Sequence, residues 1–233
     1  MKRLSIVTHF YNHPEHVEAQ VASWKKIDGD LLPHIEFILI DDCSDRVPNI
    51  VPGDLDLKLY RIDSDIDWNQ SGARNLGFFA ATGEWCLVFD IDQKLEVDAL
   101  PLLLNNLGQL DRNAMYYLKA NDVFDRNVNK PFEHHVNTFL VSLNEFKSRA
   151  MYDEDFAGHY GYEDLLVPYV WERHGGQRVL LNGVAFFSED GGVRTENLSR
   201  DLEVNRALLA RKIQEGAQRP KNLLRFSWRN VSP

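Results

Sequence analysis

Trp85-Cys86-Leu87-Val88-Phe89-Asp90-Ile91-Asp92 decides the fold: a run of branched and aromatic residues that ends in two aspartates one residue apart. Five apolar residues bounded upstream by Gly83-Glu84 suit a buried strand. An Asp-x-Asp at the end of such a strand puts two hard oxygen ligands on the same side of the chain. A divalent ion bridging a diphosphate requires that donor set.

Upstream of this strand the chain alternates strand-like and helix-like segments. Residues 4–8 form a short apolar run, 14–26 read as a helix, and 35–40 and 57–62 give second and third strands. Residues 73–82 read as a helix closed by Gly83. This is the order of βαβ units, and it predicts an α/β fold with a Rossmann-like, mostly parallel central sheet flanked by helices. Asp41 and Asp42 follow the second strand, Asp63 and Asp65 the third, and Asp90 and Asp92 the fourth. The carboxylates therefore gather along one edge of the sheet, where open α/β sheets bind ligands. An aspartate after a strand equally caps a helix or makes a turn, but three such places together favour a ligand site.

Downstream, a helix is expected to about residue 110, strands over 115–119, 137–142 and 178–181, and a polar loop over 121–133. Glu163-Asp164 opens a helix over 165–173, and these acids suit the positive helix end as well as a general base's position. His174-Gly175-Gly176 reads as its C-cap. His134 and His135, adjacent on an extended segment, point to opposite faces and cannot readily share an ion. Residues 200–214 carry leucines at helical spacing, and a basic and aromatic tail follows over 221–229. The tail suits either a membrane-surface contact or folding back with Leu224, Phe226 and Trp228 on the sheet, and folding back is the expectation.

A chain of 233 residues, 44% hydrophobic and 11% aromatic, can bury one substantial core, so a single domain over 1–233 is expected. Its net charge of -9 argues against a nucleic-acid footprint. Two cysteines, Cys43 and Cys86, show no disulfide or zinc spacing and point to a reducing cytoplasm. The N-terminal apolar run is too short for a signal peptide, and no stretch approaches the ~18 apolar residues of a membrane span. A peripheral association with the inner membrane is left open.

The segments Gln70-Ser71-Gly72-Ala73-Arg74-Asn75-Leu76-Gly77, then Thr82-Gly83-Glu84, then Asp90-Ile91-Asp92 resemble the family 2 and galactosyltransferase-like glycosyltransferases of the GT-A fold. Phe156-Ala157-Gly158-His159-Tyr160-Gly161-Tyr162-Glu163-Asp164 is similar to the acceptor-side region of β-1,4-galactosyltransferases. The resemblance covers about 4–190. It implies a metal-dependent, inverting transfer of a hexose or N-acetylhexosamine from a UDP-sugar to a hydroxyl of a glycan or lipid-linked acceptor.

By the same resemblance Asp92 is the direct ligand of Mn2+ or Mg2+, and Asp90 contacts the ribose or the metal's water shell. Thr8, His9, Phe10 and Tyr11 line the nucleobase and ribose pocket, with Asp65 nearby and Asp41 or Asp42 meeting the uracil ring. Arg74 meets the diphosphate or, equally, the acidic cluster. Asp164 is the general base and Glu163 orients the acceptor hydroxyl. Relatives often use a histidine as a third metal ligand after the last strand; this chain offers Glu189 and Asp190 there instead. Residues 1–98 would then hold the nucleotide sugar and 99–195 the acceptor, with 196–233 as a C-terminal helix and tail.

Two rivals follow from other classes. A nucleotidyltransferase would need a glycine-rich basic loop after the first strand, where this chain has Thr8-His9-Phe10-Tyr11-Asn12. A non-catalytic nucleotide- or glycan-binding protein would have little use for both carboxylate pairs.

Overall fold

Branched and aromatic runs build the sheet, and small residues let one helix lie against it. The computed structural model describes residues 2–95, 99–120, 124–125, 130–131, 134–188 and 198–233. The first strands and helix are β1 (Leu4–Phe10), α1 (Pro14–Trp24), β2 (Ile35–Asp41) and β3 (Leu57–Ile62). Helix α2 (Gln70–Ala80) begins a turn earlier than its apolar spacing suggests, and β4 (Trp85–Val88) and β5 (Gln93–Leu95) follow. Next come α3 (Ala99–Asn106), β6 (Ala114–Ala120) and a small hairpin of β7 (Phe124–Asp125) and β8 (Lys130–Pro131). The remainder is β9 (His134–Ser142), α4 (Leu143–Arg149), α5 (Glu163–Arg173), β10 (Gln177–Ser188), α6 (Glu203–Gln214) and β11 (Trp228–Asn230).

The described strands, apart from the small hairpin, form one sheet in the order β11-β3-β2-β1-β4-β9-β6-β10-β5. β3, β2, β1 and β4 run parallel, so the aspartates that follow them share one edge. β9 then enters antiparallel to both β4 and β6, and β10 pairs parallel with β6. Every residue of β2 is buried, as expected of a strand covered on both faces. One apolar layer stacks Trp24 on Phe37 beneath α1 and α3, with ring centroids 4.7 Å apart. The other sets Phe78 against Phe146 at 4.4 Å among residues of α2, α4 and α5.

Helix α2 is buried from Ser71 through Phe78. Gly77 permits this, because a Cβ there would stand 2.3 Å from Val7 Cγ1 of β1. The Thr82-Gly83 turn that leads into β4 is held by buried Glu36. Its carboxylate accepts the backbone N–H groups of Thr82 at 2.6 Å and Gly83 at 3.0 Å, and pairs with Lys58.

The C-terminal tail folds back. Glu154 accepts the backbone N–H groups of Leu224 at 2.8 Å and Arg225 at 3.1 Å, and β11 adds antiparallel to the edge of β3. The Trp228 ring meets Tyr60 at 5.7 Å and Phe79 at 5.8 Å. The basic and aromatic pattern of the tail is therefore an edge-covering pattern, which also protects β3 from pairing with another chain. Among the described residues no helix is long and apolar enough to cross a membrane.

Candidate active site

A cavity of about 370 Å3 opens where β1, β4 and the start of α5 converge. From the first half of the chain it is lined by His9, Phe10, Tyr11, Asp42, Asp90 and Asp92, and from the second by His135, Asn137, Tyr160, Glu163 and Asp164. The two acidic segments, some seventy positions apart in sequence, thus face one space. β1 and β4 deliver the first group because they end at the same sheet edge. The second depends on a sharp turn: Gly161 and Tyr162 are both left-handed, with φ of 81° and 72°, and α5 starts immediately after them. Buried Asn205 of α6 fastens this turn, its amide reaching the carbonyls of His159 at 2.8 Å and Gly161 at 2.9 Å.

Arg74 lies beneath the cavity, buried, and joins the two acidic segments. Its Nη2 donates to Asp90 Oδ1 at 2.8 Å and its Nη1 to Glu163 Oε1 at 3.3 Å, while the guanidinium sits 5.2 Å from the Tyr152 ring centroid. It does not line the cavity, so of the two expected partners it takes the acidic cluster and not a diphosphate. A buried guanidinium between two carboxylates offsets charges that burial would otherwise penalise. Burial is the largest single influence on Asp90 and would raise it, but Arg74, His135 and His9 together outweigh burial and hold that carboxyl below its ordinary value.

Glu163 and Asp164 are both shifted upward. For Glu163 burial is the main cause, the neighbouring Asp164 adds to it, and Arg74 opposes. For Asp164 burial again leads, against Arg74 and His135. Glu163 is the more buried and is engaged by Arg74, whereas Asp164 is only partly buried at the cavity wall. His9 is held neutral, lowered to about 3 by burial and then by Arg74, and its Nδ1 is buried without a partner.

Three other expected lining residues lie elsewhere. Thr8 is buried within the sheet, one position too deep to reach the opening. Asp41 pairs with Arg61 and accepts the Ser44 N–H at 2.8 Å, which makes it a turn-forming aspartate. Asp65 stands outside the wall and accepts from the Tyr11 hydroxyl at 3.4 Å. Glu189 and Asp190 fall outside the described residues. Strand alternation separates the histidine pair as expected: His134 stacks near Tyr117 at 4.7 Å while His135 lines the cavity. His174 caps α5, with its ring nitrogens 2.8 Å from the Val170 carbonyl and 2.9 Å from Gln218 Oε1.

Of the aromatic residues that flank the acid pair in sequence, Tyr160 lines the cavity; Trp68 and Arg200, which join it there, carried no signal in the sequence. The rings of Trp68 and Tyr160 meet with centroids 4.6 Å apart at a tilt of 55°, and the Arg200 guanidinium sits 5.6 Å and 5.2 Å from their ring centroids. Trp68 Nε1 also donates to the Ser199 carbonyl at 2.7 Å. Asn137 presents a buried side-chain oxygen without a partner. The wall contains five carboxylates, Asp42, Asp90, Asp92, Glu163 and Asp164, against Arg200 as the one Lys or Arg among the described lining residues.

That wall fits a hard divalent cation. Asp92 offers carboxylate oxygens in the cavity, and Asp90 Oδ2, the oxygen Arg74 leaves available, lies 3.6 Å from His135 Nδ1. This separation is too long for a hydrogen bond, so that oxygen faces the cavity with Asp92.

Asp42 is raised well above the ordinary aspartate range, chiefly by burial and against the hydrogen bond from Asn69 Nδ2 at 3.0 Å. Because the folded value exceeds the unfolded one, this group weakens the fold as the pH rises through the folded value. Asp42→Asn keeps an oxygen for Asn69 and removes the charge. Its melting temperature should match wild type near pH 4 and exceed it at pH 7, by about 2–4 °C for each kcal/mol relieved. Parallel melting curves of the two proteins from acid to neutral pH would contradict this origin of the shift.

The family model described as glycosyl transferase family 2 matches residues 5–159. The succinoglycan biosynthesis protein ExoO of Rhizobium meliloti (strain 1021) is 37% identical over 67 residues, which cover 28% of this chain and 19% of that protein. A 1–349 fragment of S. aureus TarS in complex with UDP-GlcNAc superposes with a TM-score of 0.69 at 15% identity, covering 91% of this chain and 66% of that one. GalNAc-T7 with UDP, GalNAc and Mn2+ superposes with a TM-score of 0.61 at 17% identity, covering 85% and 45%. The chain thus spans about a fifth of the curated relative and less than two-thirds of these structures. At such identities the superpositions establish a shared GT-A fold.

Proposed function

The chain belongs to glycosyl transferase family 2, and we propose that it transfers one sugar from a UDP-sugar to a hydroxyl of a glycan or lipid-linked acceptor with inversion at the anomeric carbon. The observation that carries this reading is the convergence of Asp90, Asp92 and Asp164 on one cavity. The UDP-GlcNAc and the UDP, GalNAc and Mn2+ held by the two structural neighbours support the donor class and a divalent metal.

In this reading residues 1–98 hold the nucleotide and 99–195 the acceptor. Phe10 and Tyr11 flank the nucleoside, and Asp42 meets the uracil ring. Asp164 accepts the proton of the acceptor hydroxyl as its oxygen forms a bond to the anomeric carbon. The bond from that carbon to the diphosphate breaks, its electron pair leaves with UDP, and the configuration inverts. Asp92, with Asp90 beside it, would hold Mn2+ or Mg2+, which when bound stabilises as a Lewis acid the charge that gathers on the diphosphate. Glu163 is fixed by Arg74, so that the acid of the pair nearer the opening is the one placed for proton transfer. Asn137 Oδ1 is available to a sugar hydroxyl.

Arg200 answers the charge problem of the wall. A diphosphate entering among five carboxylates needs a fixed cation as well as the metal, and no described carboxylate pairs with Arg200. Arg200→Ala should weaken UDP binding by about ten- to a hundredfold, the worth of one charge-assisted hydrogen bond. Calorimetry checks this, and unchanged affinity would remove Arg200 from the phosphate site.

The reaction itself is tested by incubating the chain with a panel of nucleotide sugars and Mn2+ or Mg2+ and measuring release of the nucleoside diphosphate. Release from one or more UDP-sugars, dependent on the cation, is expected. Release that is independent of the metal, or none from any donor together with no nucleotide binding, would overturn the proposal.

A further inference from the structure

We propose that His13, Glu15 and His16 form a second cation site, separate from the carboxylate cavity and suited to a borderline transition metal such as Zn2+. Among the described residues this is the only group of three His, Cys, Asp or Glu side chains whose ligand atoms all come within 4.8 Å of one another. It shares no residue with the cavity wall, and nothing in the proposed transfer reaction uses it.

The site is built by the turn after β1. Asn12 takes a left-handed conformation with φ of 57°, and the loop around Ser44 fastens it. Its N–H donates to Ser44 Oγ at 2.8 Å, and its side-chain oxygen accepts the N–H groups of Asp45 at 2.7 Å and Arg46 at 3.2 Å. His13 is then the N-cap residue of α1, but its ring makes no capping hydrogen bond to the helix. Pro14 fixes the first helical position, and His16 follows three positions after His13, which places both rings on one face. The ring centroids lie 5.7 Å apart at 74°.

Glu15 lies between them and is already oriented. Arg46 Nη2 donates to its Oε2 at 3.1 Å, leaving Oε1 3.3 Å from His13 Nδ1. This pair is hydrogen-bonded, and two ligands each about 2.0–2.1 Å from a tetrahedral ion stand roughly 3.3–3.5 Å apart, so a cation could take the place of the bridging proton at nearly the same spacing. His16, partly buried on the same turn of helix, brings a ring nitrogen within 4.8 Å of the other two ligand atoms. A guanidinium on the outer carboxylate oxygen plays the orienting part that partners of metal ligands commonly play.

Two imidazoles and one carboxylate favour zinc and its neighbours over the hard Mg2+ or Mn2+ of the cavity, and three protein ligands leave a fourth position for water. The consequence is local. His13 is two residues from Tyr11, which lines the cavity, so a cation here would pin the N-cap and first turn of α1 close to that wall.

Calorimetric titration of the whole chain with ZnCl2, in excess Mg2+ to occupy the carboxylate cavity, tests the site. One Zn2+ per chain is expected, weakened about tenfold or more in the double variant His13→Ala, His16→Ala and retained in Asp92→Asn. Circular dichroism without zinc should show the double variant folded as wild type, and Glu15→Gln provides a milder second variant that should also weaken binding. No heat at millimolar Zn2+, a titration unchanged in the double variant, or an equivalent lost in Asp92→Asn would each overturn the proposal.

Discussion

Asp164→Asn should bind the UDP-sugar donor and its metal as wild type does, and transfer the sugar about 10²–10⁴-fold more slowly, the range for loss of a general base. The substitution conserves shape at the mouth of the cavity and leaves the Arg74 bridge to Asp90 and Glu163 intact. Only the proton acceptor is removed. The pH profile provides an independent check. A general base works when ionised, and burial raises Asp164 above the ordinary aspartate value of about 4. Wild-type kcat should therefore fall as the pH drops through a value above that range, and the fall should vanish from the residual activity of the variant. Equal loss of donor binding and transfer would instead assign Asp164 to the donor site.

Asp92→Ala should remove the metal dependence of nucleotide binding. In wild type, UDP affinity should rise steeply when Mn2+ or Mg2+ is added; in the variant, the affinity with metal should fall by at least about a hundredfold toward the metal-free value. Asp92 is the half of the Asp-x-Asp pair that Arg74 does not hold, so its loss leaves the ion pair beneath the site in place. Calorimetry with and without the cation separates the two terms. A variant that still binds UDP more tightly with metal would move the ligand role to other residues of the wall.

The parallel half of the sheet could be read from the chain almost residue for residue, because β2, β3 and β4 are uninterrupted apolar or alternating runs between clear turn signals. The elements that escaped are short or depend on distant partners. β5 has three residues, too few for any period to register, and β11 exists as a strand only because β3 offers an edge. Helix α4 has a single turn of apolar residues, Leu143 and Phe146, directly after a long buried strand.

In the site, local spacing identified the acidic residues, since Asp90 and Asp92 end a strand and Glu163 and Asp164 open a helix. What the spacing could not give was the sorting among them. Thr8 and His9 are neighbours, yet strand alternation and depth leave one in the sheet and the other at the wall. Asp41 and Asp42 are separated by an arginine, Arg61, that lies on the next strand. The Trp68, Tyr160 and Arg200 cluster draws on three segments with no common pattern, so only the folded chain shows it.

The folded-back tail bears on the order in which the molecule can be completed. Arg229 pairs with Asp63 across 166 positions, and β11 closes the edge of β3. Contacts of such long range form late, because the loop they close must first be ordered. During synthesis β3 would stand as a bare edge until the β11 segment emerged. The parallel half of the sheet, though encoded before β11, would thus reach its final form only after that strand has docked.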